Sequence, residues 1–228
     1  MDKSGTVTHD TRPSAARRFV MLGVIHRERE GALLLSRWLE RLKPDVVTLE
    51  LSQYGVAFRR VNRHLMRIRI DEVADDLKRE GMAVNDDVLL DLYSFVDFPF
   101  EYEVSEAYIG KRGIPLYPVD MDLYSFLHLK RVNDLLERKN LRRVLSMPEA
   151  QDGCVEKGLA RLFFEKGVKA FSYTEEMYAR DRYMHDRIAL LMKHHSKAGF
   201  LHICGWQHLS DPQGVYAGLE PLKVFIHD

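Results

Sequence analysis

Phe19-Val20-Met21-Leu22-Gly23-Val24-Ile25-His26 is a short apolar run that stops at a histidine and gives way to the wholly polar Arg27-Glu28-Arg29-Glu30. A segment this short, hydrophobic and partly β-branched reads as a buried strand and not as one face of a helix. Gly23 would let another backbone approach closely, and His26 stands where the strand hands the chain to the surface. The arrangement recurs about 180 residues later, where Phe200-Leu201-His202-Ile203-Cys204 leads into Gly205-Trp206-Gln207-His208. Two strand-Gly-x-x-His units at opposite ends of the chain frame everything between them.

Outward from the first unit, residues 31–43 carry Leu33, Leu34, Trp38, Leu39 and Leu42 at helical spacing, and Pro44 stops the helix. Residues 45–51 form a second buried strand, Val46-Val47-Thr48-Leu49, interrupted by Glu50. Strand, helix and strand in so few residues make a βαβ unit, which calls for parallel strands and a right-handed crossover. Residues 54–96 read as helical with loop signals at Gly81 and Asn85, and Pro99 marks a break. A short helix over 101–111 ends at Gly113, and a third strand over 114–119 delivers Asp120 and Asp122. Pro115 and Pro118 sit poorly with a fully paired central position for that strand. Further helices are expected over 123–139, with Leu127, Val132, Leu135 and Leu136 facing inward, and over 148–166 and 172–196. Strands over 199–204 and 222–226 complete the chain. The expected fold class is therefore α/β: a single domain over 18–228 with a mainly parallel central sheet flanked by helices. Residues 54–112 would be a helical insertion or lid between strands two and three, and 1–17 a disordered lead.

The 228 residues suffice for a sizeable core, and 46% hydrophobic with 30% charged residues is ordinary for a soluble globular protein. Lys plus Arg equals Asp plus Glu at 34 each, so no global field favours nucleic acid or an anionic membrane surface. Cys154 and Cys204 lie far apart with no metal-type spacing, as suits reduced thiols in a cytoplasmic protein. The first residues hold no apolar core of a secretory signal, and no stretch approaches the roughly 18 apolar residues that span a bilayer. A cytoplasmic protein without a membrane span is expected.

Ligands of open α/β sheets bind at the carboxyl ends of the strands. There the four strands bring His26, Glu50, Asp120 and, just beyond the fourth, His208. Two histidines and carboxylates on one edge suit a divalent metal with an open position for water. Simpler uses exist for each: a loop hydrogen bond for the histidine, an ion pair with arginine for Glu50, a helix cap for Asp120. The basic stretch Arg59-Arg60-x-x-Arg63-His64-x-x-Arg67-x-Arg69 reads as a solvated helix face paired with Asp71, Glu72, Asp75 and Asp76, or as a grip for anions. Tyr93, Phe95, Phe98, Phe100, Tyr102 and Tyr108 cluster around Pro99 as core, as the lining of an apolar pocket, or as a homodimer surface on the insertion. His194 and His195 are adjacent on a helix and point apart.

Gly23-x-x-His26, followed by Lys43-Pro44-Asp45-Val46-Val47-Thr48-Leu49-Glu50-Leu51, resembles the opening of TraB/PrgY-type proteins. These are relatives of the TIKI proteases in the broader group that includes erythromycin esterase and ChaN-like folds. Glu101, twelve residues before Gly113, and Asp120, seven after it, are similar in spacing to that family's glutamate-bearing helix, strand and Gly-Asp-Arg-Asp. Arg180-Asp181-Arg182-Tyr183-Met184 resembles its Glu-Arg-Asn/Asp-x-x-Met signature, and Gly205-Trp206-Gln207-His208 its Gly-Ala-Gly-His. Val24-Ile25, Met121 and Trp206-Gln207 depart from the family pattern.

The resemblance implies a hydrolase that attacks a peptide or ester bond of a peptide or small-molecule substrate with a metal-activated water. His26, Glu50, Glu101 and His208 would hold Zn, Mn or Co; Glu50, Glu101 and Arg180 would be catalytic; Gly23, Asp120, Asp181 and Gly205 would support them. Arg180 would stabilise an oxyanion and a carboxylate act as general base. The alternative reading is a non-catalytic pocket on the same fold that binds haem, iron or a signalling peptide.

Overall fold

A computed structural model describes residues 19–146 and 172–228. The lead expected over 1–17, the helix expected over 148–166 and Cys154 lie outside the described residues.

The apolar run opening the chain is strand β1 (Phe19–Val24), and its echo is β4 (Phe200–Gly205). With β2 (Val46–Leu49), β3 (Leu116–Pro118) and β5 (Leu222–Phe225) they form one sheet in the order β3-β2-β4-β1-β5. Every pairing is parallel. The two Gly-x-x-His strands are therefore neighbours, with Gly23 opposite Cys204 and Val24 opposite Gly205. β3 is shorter than expected and, among the described residues, pairs with β2 alone, an edge position that tolerates Pro115 and Pro118.

Side chains of successive strand residues leave opposite faces of a sheet, so both faces of a parallel sheet need cover. Val20, Leu22, Val24, Val47, Leu49, Leu201 and Ile203 pack on one face against helices α1 (Gly31–Leu42) and α4 (Phe100–Arg112), through Leu35, Trp38, Leu39, Tyr102 and Tyr108. Phe19, Met21, Val46, Phe200 and Cys204 occupy the other, against Met184, Ile188 and Met192 of the long helix α7 (Glu175–His194). The Trp38 indole N–H donates to the Ile226 carbonyl at 2.8 Å and ties α1 to the end of the chain.

Helices α2 (Gln53–Arg79), α3 (Asp86–Val96), α5 (Asp122–Leu135) and α6 (Arg138–Leu145) pack around a separate apolar cluster built on Met66, Ile70, Leu77, Leu92, Val132 and Leu141. Asn85 caps α3 by accepting from the Asp87 and Val88 N–H groups, and Gly113 ends α4 in the left-handed region at φ 66°. The segment expected as one insertion thus divides: α2 and α3 join α5 and α6, whereas α4 covers the sheet and brings Glu101 to its edge. Among the described residues no helix is long and apolar enough to cross a membrane.

Two expectations are corrected. Leu127 is 50% exposed, and the inward position on α5 belongs to Leu129 at 2%, in line with Val132 and Leu136. Leu127 lies two residues, roughly 200° of helical rotation, from Leu129, so both cannot face α2. Arg60, Arg63 and Arg67 of the basic stretch stand against acids of other segments and not against those of their own helix. Arg67 bonds Asp97, Arg63 stands 4.0 Å from Glu103 and Arg60 3.6 Å from Glu106. Asp76 is taken by Arg79 and Arg138, and Asp71 by the Tyr93 hydroxyl. Packing of α2 beside α3 and the start of α4 makes those carboxylates the nearer ones.

The contrast on α5 is measurable by chemical denaturation. Leu129→Ala removes a fully packed side chain and should cost about 2–5 kcal/mol, whereas Leu127→Ala should stay within about 0.5 kcal/mol. Equal losses would refute the register described here.

Candidate functional site

At the carboxyl ends of β1, β2 and β4 the chain turns outward around a cavity of about 400 Å³. His26 follows β1 by two residues, and the next residue, Arg27, adopts the left-handed conformation at φ 62° to turn the chain toward α1. Glu50 follows β2, and its N–H extends the ladder to the Ile203 carbonyl at 2.9 Å. Glu101 sits in the first turn of α4, where the helix dipole favours a carboxylate. Arg180 and Asp181 lie on the buried stripe of α7 that continues through Met184 and Ile188. His208 stands in the 3-10 turn Trp206–Ser210 after β4.

These side chains interlock. The Arg180 guanidinium donates from Nη2 to Glu50 Oε1 at 2.5 Å and to Asp120 Oδ2 at 2.7 Å, and from Nε to Asp120 Oδ1 at 3.2 Å. The ion pair with arginine that stood as one reading of Glu50 is therefore formed. Asp120 does not cap α5, whose cap position is Met121; it accepts the Met121 N–H and Arg180 instead. Glu50 Oε2 accepts the Gly205 N–H at 2.6 Å. His208 bridges two acids, Nδ1 to Asp181 Oδ1 at 2.6 Å and Nε2 to Glu50 Oε1 at 3.1 Å. Asp181 also accepts the Tyr216 hydroxyl at 3.0 Å and the Tyr173 hydroxyl.

The charges follow from these contacts. Burial would raise the Glu50 pKa, but His208 and Arg180 outweigh it and hold the carboxyl well below its usual range. Burial would lower the His208 pKa, yet Glu50 and the Asp181 hydrogen bond raise it to about 10, so the ring is an imidazolium with both N–H groups donating. Burial raises the Asp120 pKa against the pull of Arg180. Burial likewise pushes the Cys204 thiol up, leaving it an unreactive strand residue.

His26 is different, because its side chain is 43% exposed. Its Nδ1 lies 2.7 Å from Glu101 Oε1, which makes Nδ1–H the donor, since an ionised carboxylate can only accept. Nε2, on the far edge of the ring, lies 4.0 Å from Glu50 Oε2. It stands over Gly205, where a Cβ would come within 2.8 Å of it, so only glycine leaves the imidazole this place. Gly23 serves the layer beneath: a Cβ there would meet Leu209 at 2.5 Å and the Trp206 backbone at 2.9 Å.

Every residue singled out from the sequence is thus in or directly under one site: His26, Glu50, Glu101, Asp120, Arg180, Asp181 and His208, with Gly23 and Gly205 shaping it. A divalent ion does not fit the arrangement they make. Among the described residues no three His, Cys, Asp or Glu side chains converge on a point that a metal could occupy. Both Glu50 oxygens and both His208 nitrogens are committed to hydrogen bonds, and a guanidinium lies against Glu50.

Sequence reasoning missed Tyr173 and Tyr216, which hold Asp181, and His202, a buried histidine beneath the site. His202 Nδ1 is 3.0 Å from Thr48 Oγ1, and burial lowers its pKa to about 4. It also missed Tyr124, whose ring lies 4.0 Å from the Arg180 guanidinium. Isolated tyrosines in helices and loops carry no signal of a long-range hydrogen bond. No family profile, no curated protein and no solved structure matches this chain.

The elevated His208 pKa ties stability to pH. A histidine raised from 6.5 to about 10 contributes stability that is fully present below pH 6.5 and lost as pH rises through 10. The melting temperature of the wild type should therefore fall between these two pH values, and that slope should be absent from a lower-melting His208→Gln. Parallel profiles for the two proteins would rule out a charged His208.

Proposed function

We propose that the protein is a hydrolase with the TraB/TIKI arrangement of residues that cleaves an ester or peptide bond, with a water activated by His26 in place of the metal-activated water that the resemblance implies. The observation that carries the reading is the His26–Glu101 pair: a half-exposed imidazole, fixed in one tautomer by a buried carboxylate, turns Nε2 toward a cavity that also contains two buried cations. Such a histidine is oriented as a general base is oriented in hydrolases that use a carboxylate-histidine pair.

In the first step His26 Nε2 takes a proton from water while the water oxygen attacks the substrate carbonyl carbon. Glu101 stabilises the imidazolium through the Nδ1–H bond. The negative charge that develops on the carbonyl oxygen faces Arg180 and His208, both of which line the cavity. In the second step the His26 imidazolium returns its proton to the leaving oxygen or nitrogen as the bond to carbon breaks, releasing an acid and an alcohol or amine. Glu50 holds the two cations in register and keeps them charged, a positioning role. The TraB/TIKI assignment itself rests on the order of Gly23-x-x-His26, Glu50, Glu101, Asp120, Arg180-Asp181 and Gly205-x-x-His208 along the chain and on their convergence. Glu50, His208 and Arg180 are committed to one another, which leaves His26 as the base in this mechanism.

A panel of nitrophenyl esters and fluorogenic peptides tests the reading. His26→Gln should lower kcat/KM by about 10²–10⁴. Glu101→Gln should lower kcat and shift the rising limb of the pH–rate profile to lower pH, because loss of the carboxylate makes the imidazolium easier to deprotonate. A chelator should leave the wild-type rate unchanged; a rate that collapses on chelation and returns with Mn or Zn would overturn the metal-independent mechanism. Wild-type activity retained by His26→Gln would overturn the general base.

A further inference from the structure

The cavity is divided by charge. One wall carries the site just described, where the acids Glu50, Glu101 and Asp120 are each paired with Arg180, His208 or His26. The other wall carries Arg27, Arg59 and His128, which also line the cavity. Arg59 differs from the arginines nearest it on α2. Its neighbours Arg60, Arg63 and Arg67 stand against carboxylates, whereas Arg59 donates only to backbone carbonyls, from Nε to Asp97 at 3.1 Å and from Nη1 to Gly55 at 3.3 Å. Among the described residues it has no carboxylate partner, although it is partly buried and burial lowers its pKa. Arg27 lies with its guanidinium 4.2 Å above the Phe95 ring, two residues before the Asp97 carbonyl that Arg59 bonds. Both guanidinium groups therefore contact the C-terminal end of α3 or the residue that follows it. Burial, then the charges of Arg59 and Arg27, lower the His128 pKa, so its ring is a neutral donor or acceptor beside them. Phe95, Pro99, Tyr124 and Leu129 supply apolar surface between the walls, and Glu176 stands at the rim beside Tyr124.

A partly buried cation such as Arg59 is costly to keep without an anion, and a ligand that supplies one is favoured in return. Resting on the hydrolase reading of the opposite wall, we infer that Arg59 and Arg27 form an oxyanion-binding subsite, so that the substrate carries a carboxylate or phosphate group joined through an apolar or aromatic stretch to the bond that faces His26. Arg59 is held rigidly by its two carbonyl bonds and acts as the fixed anchor. Arg27, exposed and stacked on Phe95, closes on the ligand from the solvent side. Arg27 directly follows His26, so one turn of backbone sets the distance between the general base and the anion anchor.

The test measures binding and needs no turnover. Phenylacetamide, phenylacetate and benzylphosphonate share the same ring and differ in the charge of the head group. Calorimetric titration of the wild type at pH 7.5 should show at least one of the two acids binding about tenfold more tightly than the amide, the worth of one charged hydrogen bond. Arg59→Gln should abolish that preference and Arg59→Lys should restore part of it, while circular dichroism reports that both variants are folded. Tighter binding of the phosphonate would name a phosphate-bearing substrate, and of phenylacetate a carboxylic acid. Equal affinity of all three ligands for the wild type, absence of binding by both acids, or a preference that survives in Arg59→Gln would overturn the subsite. A protein that binds the acids through Arg59 but hydrolyses no ester or peptide would leave the subsite standing and remove the hydrolase reading. A hydrolase indifferent to ligand charge would do the reverse.

Discussion

The buried guanidinium of Arg180 is the interaction on which the site depends. Its side chain is 10% exposed, and it neutralises Glu50 from the end of β2 and Asp120 from the junction of β3 and α5, while itself projecting from α7. Three elements remote in sequence are thereby held at one point. Two buried carboxylates without that cation would each face a large desolvation penalty, and breaking such a pair costs about 3–5 kcal/mol. The same cation, with His208, keeps Glu50 ionised, and Glu50 in turn anchors the Gly205 backbone and keeps His208 protonated. Charge state and geometry are thus one problem with one solution.

This interior network differs in kind from the pair it supports. Asp181, His208, Glu50, Arg180 and Asp120 are buried and bonded on nearly every polar atom, as suits groups whose job is to hold an electric field in place. His26 is half-exposed and hydrogen-bonded to the Glu101 carboxylate, so its ring is within reach of a ligand or water. Gly205 separates the two: its N–H belongs to the network, and its missing side chain provides the space for His26 Nε2. A buried charged floor thus lies beneath a histidine that reaches solvent.

Much of this was legible along the chain. The apolar run 19–25 and its echo at 200–204 are strands because short, β-branched segments have no other way to bury every side chain, and the prolines at 115 and 118 pointed to the edge position of β3. Glu50 inside an apolar strand end demanded a partner, and Arg180 is that partner. Leu127 was misplaced because α5 carries leucines at 123, 127, 129 and 135, with Leu136 just after it, and leucines spread round a helix do not declare which face is inward.

What the sequence by itself determined, then, is the list of strands and the chemical identity of the groups at their carboxyl ends, because strand patterning and the burial cost of charge are local properties. What only the tertiary structure decided is which of those groups touch. His26 and Glu101 are 75 residues apart, and Glu50 and His208 158. Whether each histidine faces a metal or a carboxylate depends on placements of an ångström or two that side-chain packing sets and composition does not. The same holds for Arg59, indistinguishable in the chain from the arginines beside it. The packing of α2 against α3 sets it apart, leaving it at the wall of the cavity with backbone carbonyls for partners.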